Sequence, residues 1–77
     1  MSRFEYINLH LDTIRKEVKI GLISPTILAH YSIYSRFDYY RKSGEYVGVS
    51  VFFTNQDMKV SEKTIYKIIK NMQEEIL

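Results

Sequence analysis

The stretch Ser50-Val51-Phe52-Phe53-Thr54-Asn55-Gln56-Asp57-Met58-Lys59-Val60-Ser61-Glu62-Lys63-Thr64-Ile65-Tyr66-Lys67-Ile68-Ile69-Lys70 decides how this chain is read. It holds two helical segments with a break between them. Ser50 is placed to cap a helix through Val51, Phe52 and Phe53 to Met58. The cluster Lys59-Val60-Ser61 interrupts it. Ser61 then caps a final helix running to about Glu75, and Glu62 in its first turn suits the positive end of the helix dipole. That last helix has two faces. Ile65, Ile68, Ile69, Met72 and Ile76 share one side. Lys63, Lys67 and Lys70 share the other, with Tyr66 beside them and Lys59 just ahead. Residues 59–70 contain four lysines and one acid, Glu62, a local balance of +3.

Upstream, Ser24-Pro25 opens a second clear segment. Serine is a good N-cap, and proline fits the first helical position because its missing N–H would be unpaired there anyway. Ser43-Gly44 supplies the stop. Between them Ile27, Tyr31, Tyr34, Phe37 and Tyr40 share a broad face with Ile33 and His30, as a central helix touched from several sides should. Residues 4–20 read two ways. Phe4, Ile7, Leu11, Ile14 and Val18 follow the three-four spacing of a helix seam, whereas Ile7, Leu9 and Leu11 alternate as a strand does. Asp12-Thr13 and Gly21 bracket a helix over 12–20, and residues 4–11 stay open between helix and short strand.

The Ser50–Lys70 stretch resembles the bacterial helix-turn-helix, specifically the winged-helix type of phage and plasmid replication and regulatory proteins. In that family a short helix is followed by a tight turn ending in Val-Ser. A recognition helix then follows, often opening Ser-x-x-Thr-[Val/Ile]-Tyr. Val60-Ser61-Glu62-Lys63-Thr64-Ile65-Tyr66 looks like that opening, and Met58, Val60, Ile65 and Ile68 match the family's core positions. Leu28-Ala29-x-Tyr31 through Tyr40-x-x-x-Gly44, then Ser50, resembles the helix, glycine and capping serine that precede the motif. Lys59 stands where the family usually has a turn glycine, and Asn55 where it usually has a small packing residue. The resemblance covers roughly residues 22–76. With it the expected fold is mainly α: one domain over 1–77, comprising an N-terminal segment 1–21 (helix or short strand) and a trihelical helix-turn-helix body at 22–76, winged-helix-like without a C-terminal wing.

A recognition helix enters the major groove with its first turns against base edges. Ser61, Glu62, Lys63, Tyr66 and Lys67 occupy those turns. Lys63 and Lys67 are suited to guanine edges or phosphates, and Glu62 to a cytosine amino group. Lys59, Lys70 and Thr64 are suited to phosphates, which fix register without carrying sequence information. Arg36, Arg41 and Lys42 read as solvated surface, with a second phosphate-contacting set as the alternative. The expected partner is double-stranded DNA, and the expected role that of a small transcriptional regulator or replication accessory factor. The competing class is a protein-interaction module on the same scaffold, binding a partner protein through its tyrosine-rich faces. Seven tyrosines in 77 residues keep that class open.

Composition bounds the rest. A 77-residue chain is one domain with a thin core. There is no cysteine for a disulfide or thiolate metal site. No apolar run approaches the ~20 residues of a membrane span, and Met1–Glu5 lacks a signal-peptide core, so the expected location is the cytoplasm. His10 and His30 have no second strong metal ligand at a useful spacing, and no nucleophile–base arrangement or phosphate loop is visible. No enzyme activity, cofactor, metal or small-molecule substrate is therefore expected. The stripe Phe4, Ile7, Leu11, Ile14 and Val18 is the expected homodimer interface, because one small module contacts few base pairs and an exposed seam invites pairing. The alternative is that the stripe packs onto the chain's own central helix.

Overall fold

Three residues with positive φ punctuate the chain: Gly21 (φ 82°), Gly44 (φ 99°) and Lys59 (φ 57°). Each ends a helix. In the computed structural model, which describes residues 1–77, five helices run in the order α1 (Arg3–Leu9), α2 (Leu11–Lys19), α3 (Thr26–Lys42), α4 (Val47–Met58) and α5 (Glu62–Met72). No strand is present; the only bridge pairs Ser2 with Glu75.

The N-terminal segment forms two helices, α1 and α2, broken at His10, and contains no strand. Ser2 closes a capping box on α1: its hydroxyl accepts from Glu5 N–H at 3.2 Å, and Glu5 accepts from Ser2 N–H at 2.9 Å. These hydrogen bonds favour the ionised Glu5 and hold its carboxyl below the ordinary range. Gly21 closes α2 as expected. Its N–H reaches Val18 O and that of Leu22 reaches Glu17 O, the paired bonds of a left-handed cap. Gly44 repeats the pattern after α3, with Gly44 N–H to Arg41 O and Glu45 N–H to Tyr40 O. At the start of α3, Ser24 Oγ accepts from Thr26 N–H at 3.2 Å, and Pro25 already has helical angles.

The core joins all five helices. Its buried apolar residues are Ile7, Ile14, Ile33, Tyr34, Phe37, Val51, Ile65, Ile68 and Met72, with Ile27, Tyr31 and other half-buried residues against them. The N-terminal stripe belongs here. Ile7 and Ile14 are buried, and Phe4, Leu11 and Val18 are half-buried against the same core. Phe4 lies 5.4 Å from the Tyr31 ring and 4.6 Å from Tyr34, and Tyr31 Oη donates to Asn8 Oδ1 at 2.6 Å. This corrects the seam's assignment as an exposed homodimer face: residues 22–76 do not complete a core alone, and the seam finishes it.

Two boundaries also move. Ser50 does not cap α4. The helix begins at Val47 behind an extended Tyr46, and Ser50 lies a full turn inside it, buried. Glycine and serine at positions 48 and 50 imitate a helix start, but burial of Val51 outweighs their weak propensity. Helix α5 stops at Met72, short of Glu75. The chain then turns back along the N-terminus, with Arg3 N–H to Glu74 O at 2.9 Å and Ile76 N–H to Met1 O at 3.0 Å. The Met1 amine meets Glu75 at 2.8 Å, which raises its pKa, and Arg3 pairs with Glu74 at 3.4 Å. Ile76 consequently leaves the apolar stripe and is exposed.

Candidate nucleic-acid interface

Lys59, Val60 and Ser61 connect α4 to α5, and local bonds fix their path. Lys59 adopts the left-handed conformation and donates its N–H to Asn55 O at 3.0 Å. A side chain in that conformation carries strain that glycine does not. Asn55 Nδ2 donates to Val60 O at 2.6 Å, tying the end of α4 to the turn. The amide of Asn55 thus holds the turn against the end of α4. Ser61 Oγ accepts from Thr64 N–H at 3.3 Å and donates to Thr64 Oγ1 at 2.9 Å. Both hydroxyls are therefore engaged in capping α5, although the two residues remain exposed.

Beyond the cap, α5 separates its faces as its sequence requires. Ile65, Ile68 and Met72 are buried, and Ile69 is half-buried. Lys59, Glu62, Lys63, Tyr66, Lys67 and Lys70 are exposed. None of the four lysines makes an ion pair: the chain's salt bridges are Met1–Glu75, Arg3–Glu74, Arg36–Asp57 and Lys42–Asp38. Lys63, Lys67 and Lys70 share one side of α5 with no ion-pair partner, and Lys59 precedes them in the turn. His30, read as a core-edge residue, is half-buried on α3 and shares a shallow groove with Thr64, Lys67 and Asn71 of α5. Spacing within α5 alone gave no sign of it, because it arrives from another helix.

The basic residues of α3 are used differently. Arg36 pairs with Asp57 at 3.7 Å and lies 5.9 Å from the Tyr39 ring. Arg41 donates to Glu45 O at 2.7 Å, and Lys42 pairs with Asp38 at 2.9 Å, which raises its pKa. Each is tied to a local partner. Arg15, Lys16 and Lys19 on α2 are exposed and unpaired, forming a second basic set interspersed with Asp12 and Glu17. No group of three histidine or carboxylate side chains is arranged to hold a metal ion. No helix is long and apolar enough to cross a membrane.

Sequence reasoning missed the outer face of α4. Phe52, Phe53 and Val49 point away from the core, and Tyr39 and Tyr40 of α3 continue the surface. A segment with so many apolar residues reads as core, and only its packing shows which of them stay outside. A scan against family models matched none, and neither a curated protein nor a solved structure matched the chain.

Proposed function

We propose that the protein binds double-stranded DNA, with α4, the Lys59–Ser61 turn and α5 acting as a helix-turn-helix and α5 as its recognition helix. One observation carries the reading: Lys63, Lys67 and Lys70 are exposed and unpaired opposite the buried Ile65–Ile68–Met72 stripe, with Lys59, also exposed and unpaired, in the turn just ahead. Phosphates would neutralise them at no cost in broken ion pairs, with release of condensed counterions. Lys63 and Lys67, in the first turns, are suited to base edges, with Glu62 and Tyr66 beside them; Lys59 and Lys70 are suited to phosphates. Ser61 and Thr64 shape the helix start first and meet phosphates second. The resemblance to phage and plasmid winged-helix proteins extends the proposal to a small regulator or replication accessory factor.

The test is fluorescence anisotropy with labelled duplexes at several salt concentrations. Affinity should fall steeply with salt. Lys70→Ala should weaken all duplexes alike and lower the salt slope by about one unit, whereas Lys63→Ala should also change sequence preference. Salt-independent affinity, or silence of both substitutions, refutes the proposal. The exposed aromatic face of α4 favours the second reading, a protein-interaction module, which that outcome would leave in place.

A further inference from the structure

We infer that the outward face of α4 is a self-association surface whose occupant is the same face of a second copy of this chain. Val49, Phe52, Phe53 and Gln56 recur at the i, i+3, i+4, i+7 spacing of a helix-pairing stripe. Phe52 is 49% exposed and Phe53 37%, and Tyr39 of α3 beside them is 59% exposed. The rings form one continuous surface: Phe52–Phe53 centroids are 5.9 Å apart, Phe53–Tyr40 5.2 Å and Tyr40–Tyr39 5.3 Å.

Area and charge together select the occupant. With full burial of an aromatic side chain covering ~150–250 Å², these exposures amount to roughly 350 Å² of apolar surface once Val49 is included. That is already the size of the largest apolar patch on an ordinary monomer. Two such faces in contact cover roughly 700 Å², and the rim of Gly48, Gln56 and the 81%-exposed Tyr46 brings the total to about 1,000 Å², the size of a weak, transient interface. A two-fold interface sets each residue type near its own copy, so charges on it repel. No charged side chain lies between Tyr46 and Gln56 in a chain that is 26% charged. Arg36 and Asp57, paired with each other, stand at the edge. The face thus meets the requirement of self-apposition. Gly48 sits one turn before Phe52 with open space where a side chain would stand. Nothing inside the chain requires a glycine there, and its absence of bulk lets a second helix approach.

The inference rests on this face and not on the DNA reading, so its test is done without DNA. Sedimentation equilibrium of the full chain from micromolar to millimolar concentration should show the mass rising from 9.2 kDa toward twice that value. Phe52→Glu should remain helical by circular dichroism and lower the association constant at least tenfold, whereas Lys16→Glu on α2 should leave it unchanged. Concentration-dependent amide shifts in the wild-type chain provide a second measurement that needs no variant, and they should centre on residues 46–56 and Tyr39. A wild-type chain that stays monomeric at millimolar concentration overturns the inference and leaves the face to a partner of different sequence. Shifts centred on α1 and α2, or equal weakening by both substitutions, overturn it as well. Loss of duplex binding in a dimeric chain would refute the DNA reading alone.

Discussion

Helices α4 and α5 have nearly the same length, 12 and 11 residues, and opposite designs. Helix α5 buries large aliphatic side chains and exposes lysine. Helix α4 buries Ser50, Val51 and Thr54, all fully enclosed, and exposes phenylalanine. The difference follows from what each helix packs against. Interaxial distance depends on the side chains at the contact, and small residues on α4 let it lie close to its neighbours. The hydroxyl of Thr54 is accommodated by donating to Ser50 O at 2.7 Å, one turn back in the same helix. The bulk that would not fit inside is carried outside. Counting apolar residues therefore identifies a helix but not its buried side, which is set by fit.

The sharpest way to break this comparison is truncation on each helix. Ile68→Ala should cost ~2–5 kcal/mol, as buried truncations do, which is a large share of the stability of so small a domain. Phe52→Ala should cost clearly less, about 1–2 kcal/mol, because the residue is already 49% exposed. Thermal melts of the two variants decide it: equal losses would mean that α4 buries its aromatic side after all.

A second substitution has opposite expected signs under the two accounts of Ser50. A helix cap replaced by alanine loses ~1 kcal/mol. The structure instead encloses the Ser50 hydroxyl without a hydrogen-bond partner, and removing such a group relieves a desolvation cost of ~1–3 kcal/mol. Ser50→Ala should therefore raise the melting temperature, and a fall would restore the residue to its capping role.

Much of the architecture was legible before the structure. Ser2 aside, the punctuation at Ser24-Pro25, Gly21, Gly44 and Ser61 marks helix ends because the chemistry there is local. Ile65, Ile68 and Met72 were legible as core from α5's own period. The fate of the N-terminal stripe was not, since an apolar seam has the same sequence whether it meets its own α3 or another chain. The end of α5 was equally hidden, because residues 74–76 leave the helix to bond with residues some seventy positions away. At the candidate site, the lysines could be read from spacing, whereas His30 and the aromatic face depend on packing between helices.

The turn between the two helices sharpens the comparison further. Lys59→Gly should stabilise the fold by about 0.5–1 kcal/mol, the left-handed strain relieved less the greater freedom of the unfolded chain. The same change should weaken duplex binding on the proposed reading. Denaturation and anisotropy on one variant would separate these effects, and a destabilised variant would show that the lysine is not strained.

The smallest effect concerns Tyr40, whose hydroxyl donates to Asp57 of α4. That bond, followed by burial, raises the tyrosine pKa above its ordinary value of 10.0. A raised folded-state pKa stabilises the protonated form, so the contribution is fully present below the unfolded value and is lost as pH rises through the folded one. Ultraviolet titration should find one tyrosine ionising later than exposed ones, and Asp57→Asn should bring it earlier. No change would detach Tyr40 from α4.

The pairing of Met1–Arg3 with Glu74–Leu77 has a consequence for motion. Chain ends ordinarily fray first and separately. Here the two segments hold each other, so α1 and residues 74–77 should open as one cooperative unit despite their separation in sequence. Amide exchange in the two should rise and fall together. A ligand held on α5 would then slow exchange in α1 without touching it, and the N-terminal helix becomes a reporter of events on the lysine face.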